Sequence, residues 1–236
     1  MRVIHLTHGA GNGINKACLM TASNMLIGRG EDGDNNSCVC QLLQSFIIAT
    51  NDAMPEELLG ELYGPLIWEI LGTRNDDPAV IQRRAYAFAD WTVREVAPLA
   101  LESAGMLTHA RTLRELPEIV DIETALAADA YAAARAAADA AHAAAYAASA
   151  RASAAHAAAA ARASAADAAA DAAHAAAYAA AYAASARASA AHAARIWHMC
   201  PDIIRRAASI GDRRPVETVI TIDQLAKLLC RKELGC

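Results

Sequence analysis

Aromatic residues are scarce in this chain of 236 residues, and the scarcity is the first guide to its architecture. Trp, Tyr and Phe make up 5% of the residues although 56% are hydrophobic, so most hydrophobic positions must hold small side chains. Alanine accounts for them, since 47 of the 68 residues from 127 to 194 are Ala. This composition excludes one large mixed core spanning the whole chain. It indicates an ordinary N-terminal part joined to a repetitive one.

Clustered positive charge and long apolar runs are lacking as well. The net charge is −5, and no Lys occurs between residues 127 and 194. Nucleic-acid binders need clustered Lys and Arg, so we expect no DNA or RNA partner. The N-terminus has no apolar signal-peptide core, and no run of 18 strongly apolar residues exists. The six cysteines lack the regular spacing of a disulfide scaffold. We therefore expect a cytoplasmic protein without membrane association.

Helical periodicity and helix-capping signals dominate the first 117 residues. Asp77-Pro78 and Pro55-Glu56 are typical helix starts, and Pro65 is expected to break the helix that contains it. The pattern predicts a compact helical module over residues 1–117, with helices at 14–27, 38–50, from 55 onward, from 77 to near Pro98 or Gly105, and 107–116.

Proline and glycine are both missing between Pro117 and Pro201. Alanine has the highest helix propensity, so the sequence predicts one helix over residues 118–200, up to about 120 Å long. A C-terminal tail over 201–236 follows, with a short helix opened by a capping box at Thr221–Gln224. The predicted fold class is all-α: a helical module and a very long alanine-rich helix, packed in an oligomeric helical bundle.

The residues that interrupt the alanines follow the helical period. From Tyr131 to His192 they recur every three or four positions, apart from an eight-residue gap between His156 and Ser164 that Ala160 bridges, at about 3.6 residues per step, so they form one stripe along the helix. We predict that this stripe is an interaction surface. Its main members are Tyr131, Asp139, His142, Tyr146, His156, Asp171, His174, Tyr178, Tyr182 and His192. The charges Arg151, Arg162 and Arg187 are expected on the opposite face.

A direct duplication indicates that the facing of the stripe matters. The segment Asp139–Tyr146 recurs at Asp171–Tyr178, and Ser149–His156 recurs at Ser185–His192. The two offsets, 32 and 36 residues, differ by about one helical turn, which leaves the stripe in phase. The alternative interpretation is a solvated stripe on an alanine spacer. Against it, His and Tyr are better suited to contacts than the Lys and Glu of most solvated faces.

Two further side-chain patterns suggest metal or acid–base chemistry. Asp139/His142 and Asp171/His174 are pairs three residues apart, close enough for a carboxylate to orient an imidazole. The pairs lack a nucleophile and a second ligand motif. A second candidate set for zinc consists of His5, His8, Cys38 and Cys40. Its Cys-x-Cys spacing differs from the usual Cys-x2-Cys, and core packing of these cysteines is favoured. We predict no cofactor.

Three segments resemble a known group of proteins. They are Ala17–Ala22, Ala89–Pro98 and Leu113–Glu118. Together they resemble uncharacterised proteins of bacteriophage and prophage genomes, in which a similar module precedes a variable alanine repeat. The likeness covers residues 17–195. It implies a phage accessory protein in the bacterial cytoplasm, and it assigns a role to no residue.

These observations lead to three hypotheses about function. The first is a non-enzymatic phage accessory protein that forms homo-oligomers through the alanine-rich helix, with a host protein as a further candidate partner. The second is a protein that sequesters a small nucleotide-like or anionic ligand and so counters a host defence. The third is a metal-dependent enzyme in the N-terminal module.

Overall fold

The computed structural model describes residues 5–9, 17–29, 33, 35–128, 190–221 and 224. These residues are helical and hold no strand, only an isolated bridge between Leu6 and Ala17, which confirms the all-α fold class. The chain divides into two compact units. The first unit comprises residues 1–75 and 211–236, and the second comprises residues 76–210. The predicted domain limits at 117 and 200 and the oligomeric bundle stay predictions.

Within its described residues, the first unit is built on four short helices whose apolar faces meet. They are α1 (Leu19–Leu26), α2 (Gln41–Ala53), α3 (Glu56–Tyr63) and α4 (Leu66–Glu69). Pro65 separates α3 from α4, as its fixed φ and missing N–H predict. Helix α1 begins later than the sequence predicts because the Cys18 thiol caps it, accepting the Thr21 N–H at 3.3 Å. The core of the first unit contains Leu19, Met20, Leu26, Leu43, Phe46, Ile47, Leu59 and Ile67.

Residues 211–221 return to the first unit through backbone hydrogen bonds. The Arg214 N–H donates to the Gly72 carbonyl at 2.8 Å, and the Val219 N–H donates to the Leu26 carbonyl at 2.8 Å. Gly72 has a φ of +75°, and a Cβ there would lie 2.2 Å from the Arg214 carbonyl oxygen, so only glycine fits. The predicted capping box is confirmed by the reciprocal Thr221–Gln224 bonds of 2.7 and 3.2 Å.

The second unit opens with one continuous helical run: α5 (Pro78–Trp91), a π-helical turn (Thr92–Val96) and α6 (Ala97–Ser103). Asp77 caps it by accepting the Ala79 N–H at 2.9 Å. Of the two predicted ends, Gly105 is the one observed. Pro98 has no N–H for the Arg94 carbonyl and crowds it, which explains why the helix widens into a π turn directly before the proline.

The described part of the second unit contains three further helical elements: α7 (Leu107–Arg114), a segment at 122–128 and α8 (Ala190–Ser209). Helix α8 packs against α5 and α6. The sequence predicts a helix limit at Pro201, whereas α8 passes through this proline. Burial of an apolar face on both sides of Pro201 offsets the lost hydrogen bond. The buried residues are Ile196, Trp197, Cys200, Ile203, Ile204, Ala207 and Ala208.

One buried arginine ties α5 to the end of α8. Arg84 is fully buried, and its Nε and Nη2 donate to the Ile210 carbonyl at 3.1 and 2.7 Å. Carbonyls at the end of a helix have no partner within the helix and carry its partial negative charge. The guanidinium therefore supplies both the hydrogen bonds and the charge that this helix end needs.

Candidate functional site

A cleft rich in charged side chains lies within the second unit. It has a volume of about 490 Å³. Residues from α5, the π turn, α6, α7, the loop after α7 and α8 line it. They are Asp90, Arg94, Glu95, Leu99, Arg114, Glu118, Arg195, Met199 and Arg206.

Helix α8 supplies the lining residues that are furthest in sequence from the others. Arg195, Met199 and Arg206 are spaced by four and seven residues, so they fall on one face of the helix. The buried residues of α8 occupy the opposite face. The amphipathic pattern of this helix therefore turns two guanidinium groups toward the cleft.

Asp90 is the centre of the ionic network. Its side chain is 3% exposed and accepts three hydrogen bonds. Oδ1 accepts from Arg94 Nη1 at 3.1 Å and from the Ile119 N–H at 3.0 Å, while Oδ2 accepts from Arg206 Nη1 at 3.1 Å. A buried carboxylate is tolerated only when its oxygens are satisfied by hydrogen bonds in this way. Asp90 thus links α5, the π turn, the loop at Ile119 and α8.

The four arginines of the cleft differ in how far their charge is neutralised. Arg206 also bonds the Glu118 carboxylate, and Arg114 bonds Glu102. Arg94 uses Nη1 for Asp90, and its buried Nε–H has no acceptor in the part of the chain that the structure describes. Arg195 is exposed and has no hydrogen-bond or ion-pair partner among the described residues. The positive charge that remains available therefore lies at the Arg195 end of the cleft.

Glu95 limits this positive charge. Partial burial raises the pKa of Glu95, and the neighbouring Asp90 carboxylate raises it further, while Arg206 and Arg94 act in the opposite direction. The net shift is upward, so Glu95 binds a proton at a higher pH than an ordinary glutamate. Its negative charge is weakened as the solution is acidified.

The lining side chains favour binding of an anion. Guanidinium groups present fixed forks of N–H donors that match carboxylate and phosphate oxygens. Among the described residues, no group of three or more His, Cys, Asp or Glu side chains is placed to hold a metal ion. The cleft thus offers donors for an anion and an apolar wall, of which Met199 is partly exposed and Leu99 is covered.

The sequence-predicted interaction stripe falls almost wholly outside the described residues. Only the backbone of His192 is described, within α8. The other stripe residues and the opposite-face residues Arg151, Arg162 and Arg187 lie outside the described ranges, so the interaction surface stays a prediction.

Among the helices that the structure describes, none combines the length and the apolar character that a membrane span requires.

The four candidate zinc ligands are all described, and they belong to local structure of the first unit. His8 Nε2 hydrogen-bonds the Met54 carbonyl oxygen at 2.6 Å. Cys40 is buried and precedes α2, where its N–H donates to Thr73 Oγ1 at 3.1 Å. Cys38 is half-buried, and its carbonyl accepts the Arg74 N–H at 3.1 Å. His5 and these three residues form no metal-ligating group with one another or with other described side chains.

Two sequence segments that received no chemical role in the sequence analysis contribute to the cleft. Five of the nine lining residues fall in the segments 89–98 and 113–118, two of the three segments that the sequence analysis singles out. The sequence does not predict the contribution of α8, because Arg195 and Met199 fall in the predicted alanine-rich helix and Arg206 falls in the predicted tail. No family model, curated protein or solved structure matches the chain.

Proposed function

We propose that the protein binds a small anionic ligand in the cleft of the second unit and does not transform it. The observation that supports the proposal is Arg195, an exposed guanidinium in the wall of the cleft without an acceptor among the described residues. A hydrogen bond to a charged group contributes about 1.5–3 kcal/mol, so one bidentate contact gives substantial affinity.

The charge balance of the cleft is compatible with this ligand. Its four arginines face three carboxylates, and Asp90 and Glu118 are already bonded to arginines. These pairs hold the guanidinium groups in fixed orientations, so less conformational entropy is lost when a ligand binds. The ionic network would therefore act as a preformed support for the Arg195 contact.

The first test is the substitution Arg195→Gln. It removes the charge and the fork of donors at an exposed position, so folding stability should change by less than about 0.5 kcal/mol. Sulfate is expected to raise the melting temperature of the wild-type protein, and the substitution should weaken sulfate binding about tenfold or more. Thermal unfolding at constant ionic strength measures both effects.

The matched control is Arg205→Gln, on the same helix. Arg205 pairs with Asp202 at 3.4 Å and does not line the cleft. Sulfate also stabilises proteins by exclusion from their surface, and this contribution is the same in both variants. If Arg195→Gln and Arg205→Gln respond equally to sulfate, the proposed function is wrong.

Glu95→Gln tests the negative side of the same charge balance. Removing the carboxylate should raise sulfate affinity about three- to tenfold near neutral pH, because one like charge leaves the cleft. Because the pKa of Glu95 is raised, wild-type affinity should increase as the pH falls through that pKa and approach the affinity of the variant. Calorimetric titration with sulfate at several pH values measures this convergence. If the sulfate affinities of the wild type and Glu95→Gln differ by the same factor at every pH, the predicted role of Glu95 is wrong.

Self-association through the alanine-rich repeat is a second candidate function, favoured by the in-phase duplication of the stripe. Light scattering at micromolar concentration should give an oligomer for the wild-type chain. The triple variant Tyr146→Ser, Tyr178→Ser and Tyr182→Ser should dissociate it, whereas Arg151→Gln with Arg187→Gln should not. A monomeric wild-type protein would overturn this candidate.

The resemblance to phage proteins suggests a setting for both candidates. A phage accessory protein that holds an anionic metabolite in the bacterial cytoplasm would lower the free concentration of that metabolite. Oligomers would raise the number of binding sites per particle. Such a protein would counter a host defence that depends on the ligand.

A further inference from the structure

The cleft carries information on the class of its ligand, and this inference rests on the proposed function. We infer that the ligand is an organic phosphate ester with a planar or apolar body, of the size of a nucleoside monophosphate. Three features of the cleft support this class: the uneven neutralisation of its arginines, the position of its apolar wall and its volume.

The available charge is concentrated at one end of the α8 wall. Arg195 and Arg206 lie 11 residues apart on this helix, roughly 16 Å along its axis. Arg206 is bonded to Asp90 and Glu118, whereas Arg195 has no partner among the described residues. A ligand with one anionic group therefore places that group at Arg195. A phosphate offers more acceptor oxygens to a guanidinium fork than a carboxylate does.

The apolar wall lies beside this cationic end. Met199 is one helical turn after Arg195, and Leu99 of α6 lines the same cleft. Methionine adapts to the shape of a flat ring, and guanidinium planes stack on nucleobases. Leu99 is only 1% exposed, so Met199 forms the accessible part of this wall, and an anionic group bound at Arg195 thus brings an attached body against Met199.

The volume distinguishes this ligand from a bare inorganic anion. A water molecule occupies about 30 Å³ in the liquid, and ligand clefts commonly measure about 300–1,000 Å³. The cleft of about 490 Å³ falls in the ligand range. Inorganic phosphate alone would leave most of it, including the apolar wall, filled with water.

Calorimetric titration of the full-length protein with adenosine monophosphate, inorganic phosphate and adenosine tests the inference. Adenosine monophosphate should bind at least about tenfold more tightly than phosphate, because it adds contacts to the apolar wall. Arg195→Gln should weaken both phosphate-containing ligands about tenfold or more. Met199→Ser should weaken adenosine monophosphate severalfold and leave phosphate unchanged, with Arg205→Gln as the unaffected control.

The outcomes separate the inference from the proposed function. Equal affinities for adenosine monophosphate and phosphate, both reduced by Arg195→Gln, would overturn the inference and leave anion binding in place. Tight binding of adenosine monophosphate that Arg195→Gln does not weaken would overturn the assignment of the phosphate to this end of the cleft. If neither the phosphate-containing ligands nor sulfate binds, both proposals are wrong.

Discussion

Replacing Arg84 by alanine is expected to lower the free energy of unfolding of the second unit by about 3 kcal/mol or more. The substitution removes two hydrogen bonds to the Ile210 carbonyl and leaves a cavity where a fully buried side chain was packed. An unsatisfied buried acceptor costs about 1–3 kcal/mol, and the cavity adds to that. Urea unfolding followed by the fluorescence of Trp91 and Trp197, both buried in this unit, measures the loss.

Two variants make this result specific to the guanidinium. Arg83→Ala changes an exposed neighbour on the same helix and should alter stability by less than about 0.5 kcal/mol. Arg84→Lys keeps a positive charge without the fork of donors, so it should recover only part of the loss. Equal stability of Arg84→Ala and Arg83→Ala would show that the contact with Ile210 does not anchor α8.

Replacing Asp90 by asparagine should produce two opposite effects. The free energy of unfolding is expected to fall by about 2–3 kcal/mol, because an amide cannot accept from three donors or balance two guanidinium groups. Arg94 and Arg206 are partly exposed, so water offsets some of the cost. At the same time these two cations lose their counter-charge, and sulfate affinity should rise severalfold. Urea unfolding with and without sulfate measures both effects.

Asp202→Asn is the control for Asp90. Asp202 also pairs with an arginine of α8, but its side chain is 81% exposed. An exposed pair contributes about 0–1 kcal/mol, so neither stability nor sulfate affinity should change much. If sulfate stabilises Asp90→Asn no more than it stabilises the wild-type protein, Asp90 does not compete with an anion for the arginines of the cleft.

Local chemistry was sufficient to predict many of the helix limits. Asp77 and Pro78 start α5 because a carboxylate caps free N–H groups and a proline needs none. Pro65 separates two helices, and Gly105, at a φ of +78°, ends the helical run that begins at Pro78. Thr221 and Gln224 form their capping box through neighbouring atoms. Each of these features depends on residues within a few positions of one another.

Features that depend on tertiary contacts were not predictable in this way. Pro201 was expected to limit a helix, but burial of residues on both sides keeps α8 continuous. The return of residues 211–221 to the first unit uses backbone hydrogen bonds, which leave almost no side-chain pattern. Two glycines at positive φ mark that contact, because a Cβ at Gly72 would meet the Arg214 backbone and a Cβ at Gly28 would meet the Val219 side chain.

The cleft illustrates the same limit for function. Its carboxylate Asp90 and its cation Arg206 are 116 residues apart in sequence, and the alanine-rich repeat lies between them. The segments 89–98 and 113–118 were recognisable as motifs, yet their chemistry becomes apparent only where Arg195 and Arg206 face them. The interaction stripe of the repeat is the most conspicuous pattern in the sequence, yet apart from the backbone of His192 it lies outside the described residues.

The most direct test of anion binding in the cleft is to locate a heavy-atom oxyanion in crystals of the wild-type protein. Tungstate has the charge and shape of sulfate, and its anomalous scattering marks its position. If the cleft binds anions, a tungstate should lie in it with an oxygen about 3 Å from a guanidinium nitrogen of Arg195. Tungstate bound only at other surface arginines, with none in the cleft, would contradict anion binding at this site.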